Sequence, residues 1–267
     1  MNAAYYKEYY HIEREHWWFL VRNQIIMNHL RRELPTNRPL KILNIGIATG
    51  RTSELLAEFG MVKSVEYDQE CFEFTKSAVP SLDLIQGSIL ELPFENQSYD
   101  LVCALDVIEH VEDHQLAVQE MKRVCKPNGL VCVTVPAFNF LWNQHDDVNH
   151  HVRRYTRPLL ESLFKNTGKI TFSSYFNFWL FFPIAGFRLL SRLLPLHHRK
   201  VEEAGSDFTV MNGTLFQKVF YGIFNSENIF IKNVLEKDEV IVSRTVYADG
   251  KSEYLMNGVE VRVKDLH

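Results

Sequence analysis

Residues 41–50, KILNIGIATG, constrain the fold more than any other stretch of the chain. Ile42, Leu43 and Ile45 form a short apolar run suited to a buried strand; Gly46 ends the run and Gly50 follows. Residues 51–59 then set Leu55, Leu56 and Phe59 on one helical face. A strand, a glycine turn and a helix make the first half of a nucleotide-binding βαβ unit. Glycine lets the main chain approach a ligand closely, and a helix N-terminus offers unpaired N–H groups. The spacing is G-x-x-x-G, which is neither the dinucleotide G-x-G-x-x-G nor a lysine-containing phosphate loop. An acid should close the next strand to receive ribose hydroxyls. Residues 62–65 read as that strand, Glu66 as that acid, and Asp68 stands just behind.

The chain has 267 residues, enough for one large α/β domain with an elaboration or for two small domains. Its net charge of −4 gives no electrostatic reason to expect nucleic acid. Cys71, Cys103, Cys125 and Cys132 show no C-x-x-C pairing and read as free thiols in a reducing compartment. The first 22 residues are aromatic and charged rather than a leader's apolar core, so a cytoplasmic protein is expected.

Residues 1–38 read as an aromatic helical segment closed by Pro35 and Pro39, either packed on a sheet edge or lying as a lid over a cleft. Residues 39–175 alternate strands and helices: a helix at 69–78, strands at 83–86 and 98–106, a helix at 116–125, a turn at 126–129 and a strand at 130–135. Thr156 and Pro158 then open a further helix, and residues 170–175 look strand-like. Short loops between such elements predict a doubly wound, mostly parallel sheet. Residues 176–236 form a hydrophobic and helical cap. Residues 237–267 read as a β-meander with Asp-Gly and Asn-Gly turns.

NIGIATG followed by VEYD resembles the first two motifs of class I S-adenosylmethionine-dependent methyltransferases of the small-molecule branch, the type 11 and type 12 kind. Asn44, Ile47 and Ala48 depart from the usual Asp, Cys and Gly. DVIEHV, from Asp106 to Val111, resembles the family's motif after its fourth strand, where His110 is a structural first-turn residue. HWWFLVR resembles a pre-domain segment whose arginine, here Arg22, would meet the cofactor carboxylate. The resemblance implies S-adenosyl-L-methionine as cofactor, held by Arg22, Asn44, Gly46, Ile47, Thr49, Gly50, Glu66, Tyr67, Ser88, Ile89, Leu105 and Asp106. Ser88 occupies a slot where the family places an Asp against the adenine amino group. The last 30 residues resemble a fragment of an SMC ATPase head and lack any phosphate loop, so no activity is carried over.

Residues 137–157 gather titratable and aromatic side chains beyond the fifth strand, the edge at which open α/β sheets bind ligands. They resemble an HD…HxRRYT segment of this branch. Three readings are open: substrate binding with base chemistry, a metal site from His145, Asp146 and His150 or His151, and a loop stitched by arginine–carboxylate pairs. The expectation adopted is the first. His145 is the base, Asp146 orients it, Tyr155 assists, and His151, Arg153 and Arg154 bind substrate, with no metal assigned. Residues 176–194, FNFWLFFPIAGFRLLSRLL, are apolar but broken by Asn177, Pro183 and Gly186. With Arg188, Arg192, His197, His198, Arg199 and Lys200 as a basic flank, they read as a membrane-surface element or as a buried cap or dimer face. The expected function is methyl transfer to a small-molecule or lipid-linked acceptor, without nucleic acid and with peripheral contact at the inner face of a membrane as one option. A non-catalytic binding or docking module of the same fold is the alternative. A nicotinamide oxidoreductase is disfavoured by the missing third glycine.

Overall fold

A computed structural model describes residues 3–35, 37–165, 168–193, 214–238, 242–246, 252–256 and 259–260. Five strands form one sheet: β1 (Leu40–Ile45), β2 (Gly60–Glu66), β3 (Asp83–Gln86), β4 (Tyr99–Leu105) and β5 (Cys125–Thr134). Their order is β3-β2-β1-β4-β5, and every neighbouring pair is parallel. The expected doubly wound sheet is therefore present. Strand order reverses between β1 and β4, so a crevice opens there at the carboxyl edge.

Side chains alternate across a strand, and a sheet covered on both faces must be apolar on both. Ile42 of β1 and Leu101 and Cys103 of β4 pack on one face with Ile26, Met27 and Leu30 from helix α2 (Trp17–Glu33) and Leu56 from α3 (Arg51–Leu56). Leu43, Ile45, Val102 and Ala104 pack on the other face with Ala117, Val118 and Met121 from α5 (His114–Val124). Helix α1 (Ala3–Glu15) precedes α2, and α4 (Gln69–Ala78) joins β2 to β3. Asp68 caps α4 by accepting from the Cys71 N–H at 2.8 Å, and Asp113 caps α5 by accepting from Leu116 at 2.8 Å.

Beyond β5 come α6 (Gln144–Val148), α7 (Arg157–Phe164), α8 (Phe178–Leu193) and α9 (Thr214–Asp238). The chain divides into two compact units, Met1–Asn225 and Ser226–His267. In the second, β6 (Val242–Val246), β7 (Ser252–Met256) and β8 (Val259–Glu260) make an antiparallel three-stranded sheet of their own. This sheet is separate from the five-stranded one. Both hairpin turns, and the basic residues His197, His198, Arg199 and Lys200, lie outside the described residues.

The structure corrects three local expectations. The helix expected over 51–59 stops at Leu56, because the chain must reach Gly60, whose main chain packs so closely on Leu40 that a Cβ would lie 2.2 Å from the Leu40 carbonyl oxygen. Residues 126–129 are looped out within β5 rather than preceding it; the register jumps from Tyr99 opposite Cys125 to Leu101 opposite Leu130. Residues 170–175 form no strand. Side chains hold that segment instead of a main-chain ladder: the Phe172 ring lies 4.3 Å from His29, and the Tyr175 hydroxyl accepts from the Arg157 N–H at 2.8 Å.

Candidate functional site

The carboxyl edge of the sheet brings together the glycine loop after β1, Glu66 at the end of β2, Ser88 after β3, Asp106 after β4 and Thr134 at the end of β5. Gly46 adopts φ 65°, and a Cβ there would fall 2.5 Å from Val107 Cγ2. Only glycine fits both the conformation and the contact. Gly50, at φ 88°, precedes α3. Between them Ala48 takes φ 48°, a left-handed conformation that a Cβ makes costly.

Glu66 fastens this loop. One carboxylate oxygen accepts from Ala48 N–H at 3.0 Å, the other from Tyr67 and Asp68 N–H at 2.9 and 3.0 Å. Burial pushes its pKa above the ordinary carboxylate value, against the pull of those three donors. Asn44 faces the other way. Its buried amide donates to Thr52 Oγ1 and Ser53 Oγ, both at 2.9 Å, and so pins α3 to β1. Tyr67, Gln86, Gly87 and Ser88 line an open cleft of about 220 Å³ beside Glu66. The Ser88 hydroxyl accepts from Leu90 N–H at 3.1 Å, while Ile47, Ile89 and Leu105 are buried.

Helix α1 lies across the loop. The Tyr6 hydroxyl donates to Asp68 Oδ1 at 2.8 Å, Arg14 donates to the Thr49 carbonyl at 3.3 Å and pairs with Glu54 at 3.1 Å, and the Thr49 hydroxyl donates to Glu13. Burial pushes the Glu13 carboxyl up to about 7. From α2, the buried Arg22 guanidinium pairs with Asp106 at 2.7 Å and donates to Thr134 Oγ1 at 3.1 Å. Asp106 sits at φ 58° and accepts from the Thr134 hydroxyl at 2.9 Å, so β4 and β5 are bridged where they end. The Arg22 Nε is buried with no partner.

The loop after β5 is built around Asp146. Its fully buried carboxylate meets Arg154 through two bonds, at 2.7 and 3.0 Å, the His151 ring at 2.8 Å and Asn143 N–H at 2.8 Å. Burial pushes the Asp146 pKa upward, but His151 and Arg154 outweigh it and hold the carboxyl well below its ordinary range. Arg154 also donates to the Ala137 carbonyl at 3.0 Å. Tyr155 is a core residue: its hydroxyl donates to the Ile108 carbonyl at 3.2 Å and lies 2.9 Å from the His114 ring. Asp146, Arg154 and Tyr155, expected to orient a base, grip substrate and assist, are thus engaged in holding the loop together. Arg153 donates to the Glu112 carbonyl at 2.9 Å. The His145 side chain lies outside the described residues.

Residues 43–133 match the family model described as a methyltransferase domain. Over this stretch the chain is similar to a methyltransferase domain. It is 29% identical over 160 residues to a probable S-adenosylmethionine-dependent methyltransferase of Mycobacterium tuberculosis, covering 59% of this chain and 57% of that protein. It is 26% identical over 134 residues to a demethylmenaquinone methyltransferase of Staphylococcus aureus, covering 45% of this chain and 56% of that one. The chain therefore spans little more than half the length of these curated relatives. A putative sarcosine dimethylglycine methyltransferase from Galdieria sulphuraria superimposes with a TM-score of 0.52 at 18% identity, over 79% of this chain and 82% of that one, and attests the fold.

Sequence reasoning missed three residues that the structure brings to the carboxyl edge, and a fourth, Glu109, in the turn that follows Asp106. Glu13 and Arg14 carried no signal, since one turn of an aromatic helix does not reveal which loop it will cover. Thr134 was one more residue of an apolar strand. Glu109 was visible only as part of DVIEHV, and its burial was not.

Proposed function

We propose that this chain is an S-adenosylmethionine-dependent methyltransferase acting on a small-molecule acceptor. The observation that carries the reading is Glu66, held at the end of β2 beside a glycine loop and an open cleft. The residues fit the cofactor. With three main-chain donors already on its carboxylate, Glu66 keeps one lone pair, on Oε2, and receives a ribose hydroxyl there. Tyr67 and Ser88 border the base, and Gly46–Gly50 lets the main chain approach the methionyl part. The Arg22 guanidinium, with its orphaned Nε, receives the cofactor carboxylate. When bound, the cofactor supplies an electrophilic methyl group on a sulfonium. The chain's own task is to hold that methyl in line with an acceptor atom and to exclude water, which α1 does by lying across the loop. We assign the base, where an acceptor must lose a proton, to His145 on α6.

The test is calorimetric titration with S-adenosylhomocysteine, followed by methyl transfer to candidate acceptors. Glu66→Ala removes charge-assisted bonds each worth about 1.5–3 kcal/mol, so affinity should fall by at least ~10-fold. Unchanged affinity in that variant, or no binding by the native chain, would remove the assignment.

A lipid-linked or strongly apolar acceptor is supported by a specific surface. Phe178, Trp179 and Phe182 of α8 are 55%, 51% and 60% exposed. They continue into a cluster in which Phe138 stacks on Tyr175 at 4.9 Å and meets Phe181 at 5.6 Å. Among the described residues no helix is long and apolar enough to cross a membrane, so contact would be at the surface.

A further inference from the structure

Glu109 has no role in the site as described so far. It sits in a one-turn 3₁₀ helix, Ile108–His110, directly after Asp106 and Val107, and is 0% exposed. Neither of its carboxylate oxygens has a hydrogen-bond partner. A buried carboxyl group with nothing to accept from is costly, and native proteins tolerate it where something else is meant to occupy the gap. Its main-chain carbonyl does have a partner: it accepts from Val152 N–H at 2.8 Å, which ties the turn to the loop carrying His151. The His110 and His151 rings stand 4.7 Å apart, 81° from parallel. One ligand atom each from Glu109, His110 and His151 lies within 4.8 Å of the other two.

His151 is also set up as a ligand. Its Nδ1 lies 2.8 Å from Asp146 Oδ1. Both oxygens of that carboxylate accept from Arg154, so it acts as an acceptor toward the ring as well, and the proton belongs on Nδ1. The remaining nitrogen, Nε2, then carries the lone pair that a metal requires. A carboxylate behind a histidine is the usual way in which a metal-binding imidazole is fixed in orientation and made more basic.

We infer that Glu109, His110 and His151 form a binding site for one divalent transition-metal ion, with Asp146 as its positioning residue. Two imidazoles and one carboxylate favour Zn²⁺ or a first-row neighbour over Mg²⁺ or Ca²⁺, which prefer all-oxygen sites. At metal–ligand distances of about 2.0–2.1 Å the three ligand atoms would draw in to roughly 3.3 Å of one another, a side-chain adjustment and not a refolding. Three protein ligands leave a coordination position open. The turn is continuous with Val107, which packs against Gly46, so the ion would share the sheet edge with the glycine loop. Resting on the methyltransferase reading, its task would be to take an oxygen of the acceptor at the open position and favour its deprotonated form.

The experiment uses the full chain, stripped with a chelator and then freed of it. Co²⁺ is added while visible absorption is followed, and Zn²⁺ is titrated by calorimetry. One equivalent should bind, with Zn²⁺ displacing Co²⁺. Glu109→Gln and His151→Gln should each weaken binding at least 100-fold. Asp146→Asn should weaken it ~10–100-fold and alter the Co²⁺ spectrum of what still binds, which a purely structural role would not do. His11→Gln, on the exposed side of α1, should bind as the native chain does. Thermal melts identify any variant that fails to fold; the accessible His110→Gln carries the test if a buried one does. No saturable binding by the native chain, or binding that survives unchanged in His110→Gln and Glu109→Gln, overturns the site. S-adenosylhomocysteine is titrated into the same stripped protein. Cofactor affinity without metal binding removes the metal site alone, and metal binding without cofactor affinity removes the methyltransferase reading alone.

Discussion

Ala48 shows at the scale of one residue how a departure from a motif is accommodated. Its φ of 48° puts a Cβ where glycine would carry none. Its N–H still reaches Glu66 at 3.0 Å, and its carbonyl still accepts from the Thr75 hydroxyl at 2.9 Å and from Cys71 Sγ at 3.3 Å. The loop is held by its main chain, so the side chain costs strain without breaking the geometry. Ala48→Gly should relieve roughly 1–2 kcal/mol of left-handed strain and lose about 0.5–1 kcal/mol to the freer unfolded chain. The expected net is a stabilisation of between zero and about 1.5 kcal/mol, with the midpoint rising by up to a few degrees. Denaturant unfolding of the two proteins checks this, and a clear destabilisation would mean that the Ala48 methyl makes a contact worth more than the strain.

Helix α1 is held against the glycine loop by side-chain contacts, and Glu13 makes that hold titratable. Burial raises this carboxyl from an ordinary value to about 7. A raised pKa means that the folded state binds the proton more tightly than the unfolded chain. The associated stability is fully present below pH ~4.5 and is lost as pH rises through about 7. The window is therefore pH 5–8, and the size at most about 3 kcal/mol. Glu109, also raised by burial, slopes the same way, so the informative quantity is the difference between the native chain and Glu13→Gln. Glutamine keeps an acceptor for the Thr49 hydroxyl but does not ionise. The variant should lose several degrees less in thermal midpoint than the native chain between pH 5 and pH 8. Parallel curves would show that Glu13 is not held by α1 against the loop in solution.

At the scale of the whole molecule, a net charge of −4 and an aromatic surface on α8 pull in opposite directions at a membrane. Burying one large apolar side chain gains about 1.5–3 kcal/mol, so three exposed aromatics can outweigh a modest repulsion. This chain should co-sediment with vesicles at low salt. Changing Phe178, Trp179 and Phe182 together to serine should cut the bound fraction at least ~10-fold without moving the thermal midpoint by more than a few degrees. A native chain that stays in the supernatant would dismiss surface contact and leave methyl transfer untouched.

The sequence by itself determined roughly where the five strands of the parallel sheet lie, that glycine must end β1, and that an acid closes β2. Local patterns suffice for these, because burial on both faces writes continuous apolar runs and because Gly46 has no substitute at its φ and contact. The match of α4 and β3 to their expected bounds shows how far such signals reach. Tertiary structure alone decided which polar residues pair with each other. Asp146, Arg154 and Tyr155 were legible as chemistry because they titrate or hydrogen-bond, yet they close a loop on itself. Glu13 and Glu109 were not legible, although both are buried carboxyls at the carboxyl edge. A charged side chain is read from sequence as solvent-facing by default. Its burial is set by what packs over it, here a loop more than 30 residues later in the chain for Glu13 and one more than 40 residues later for Glu109. No short window of sequence contains both partners of such a contact.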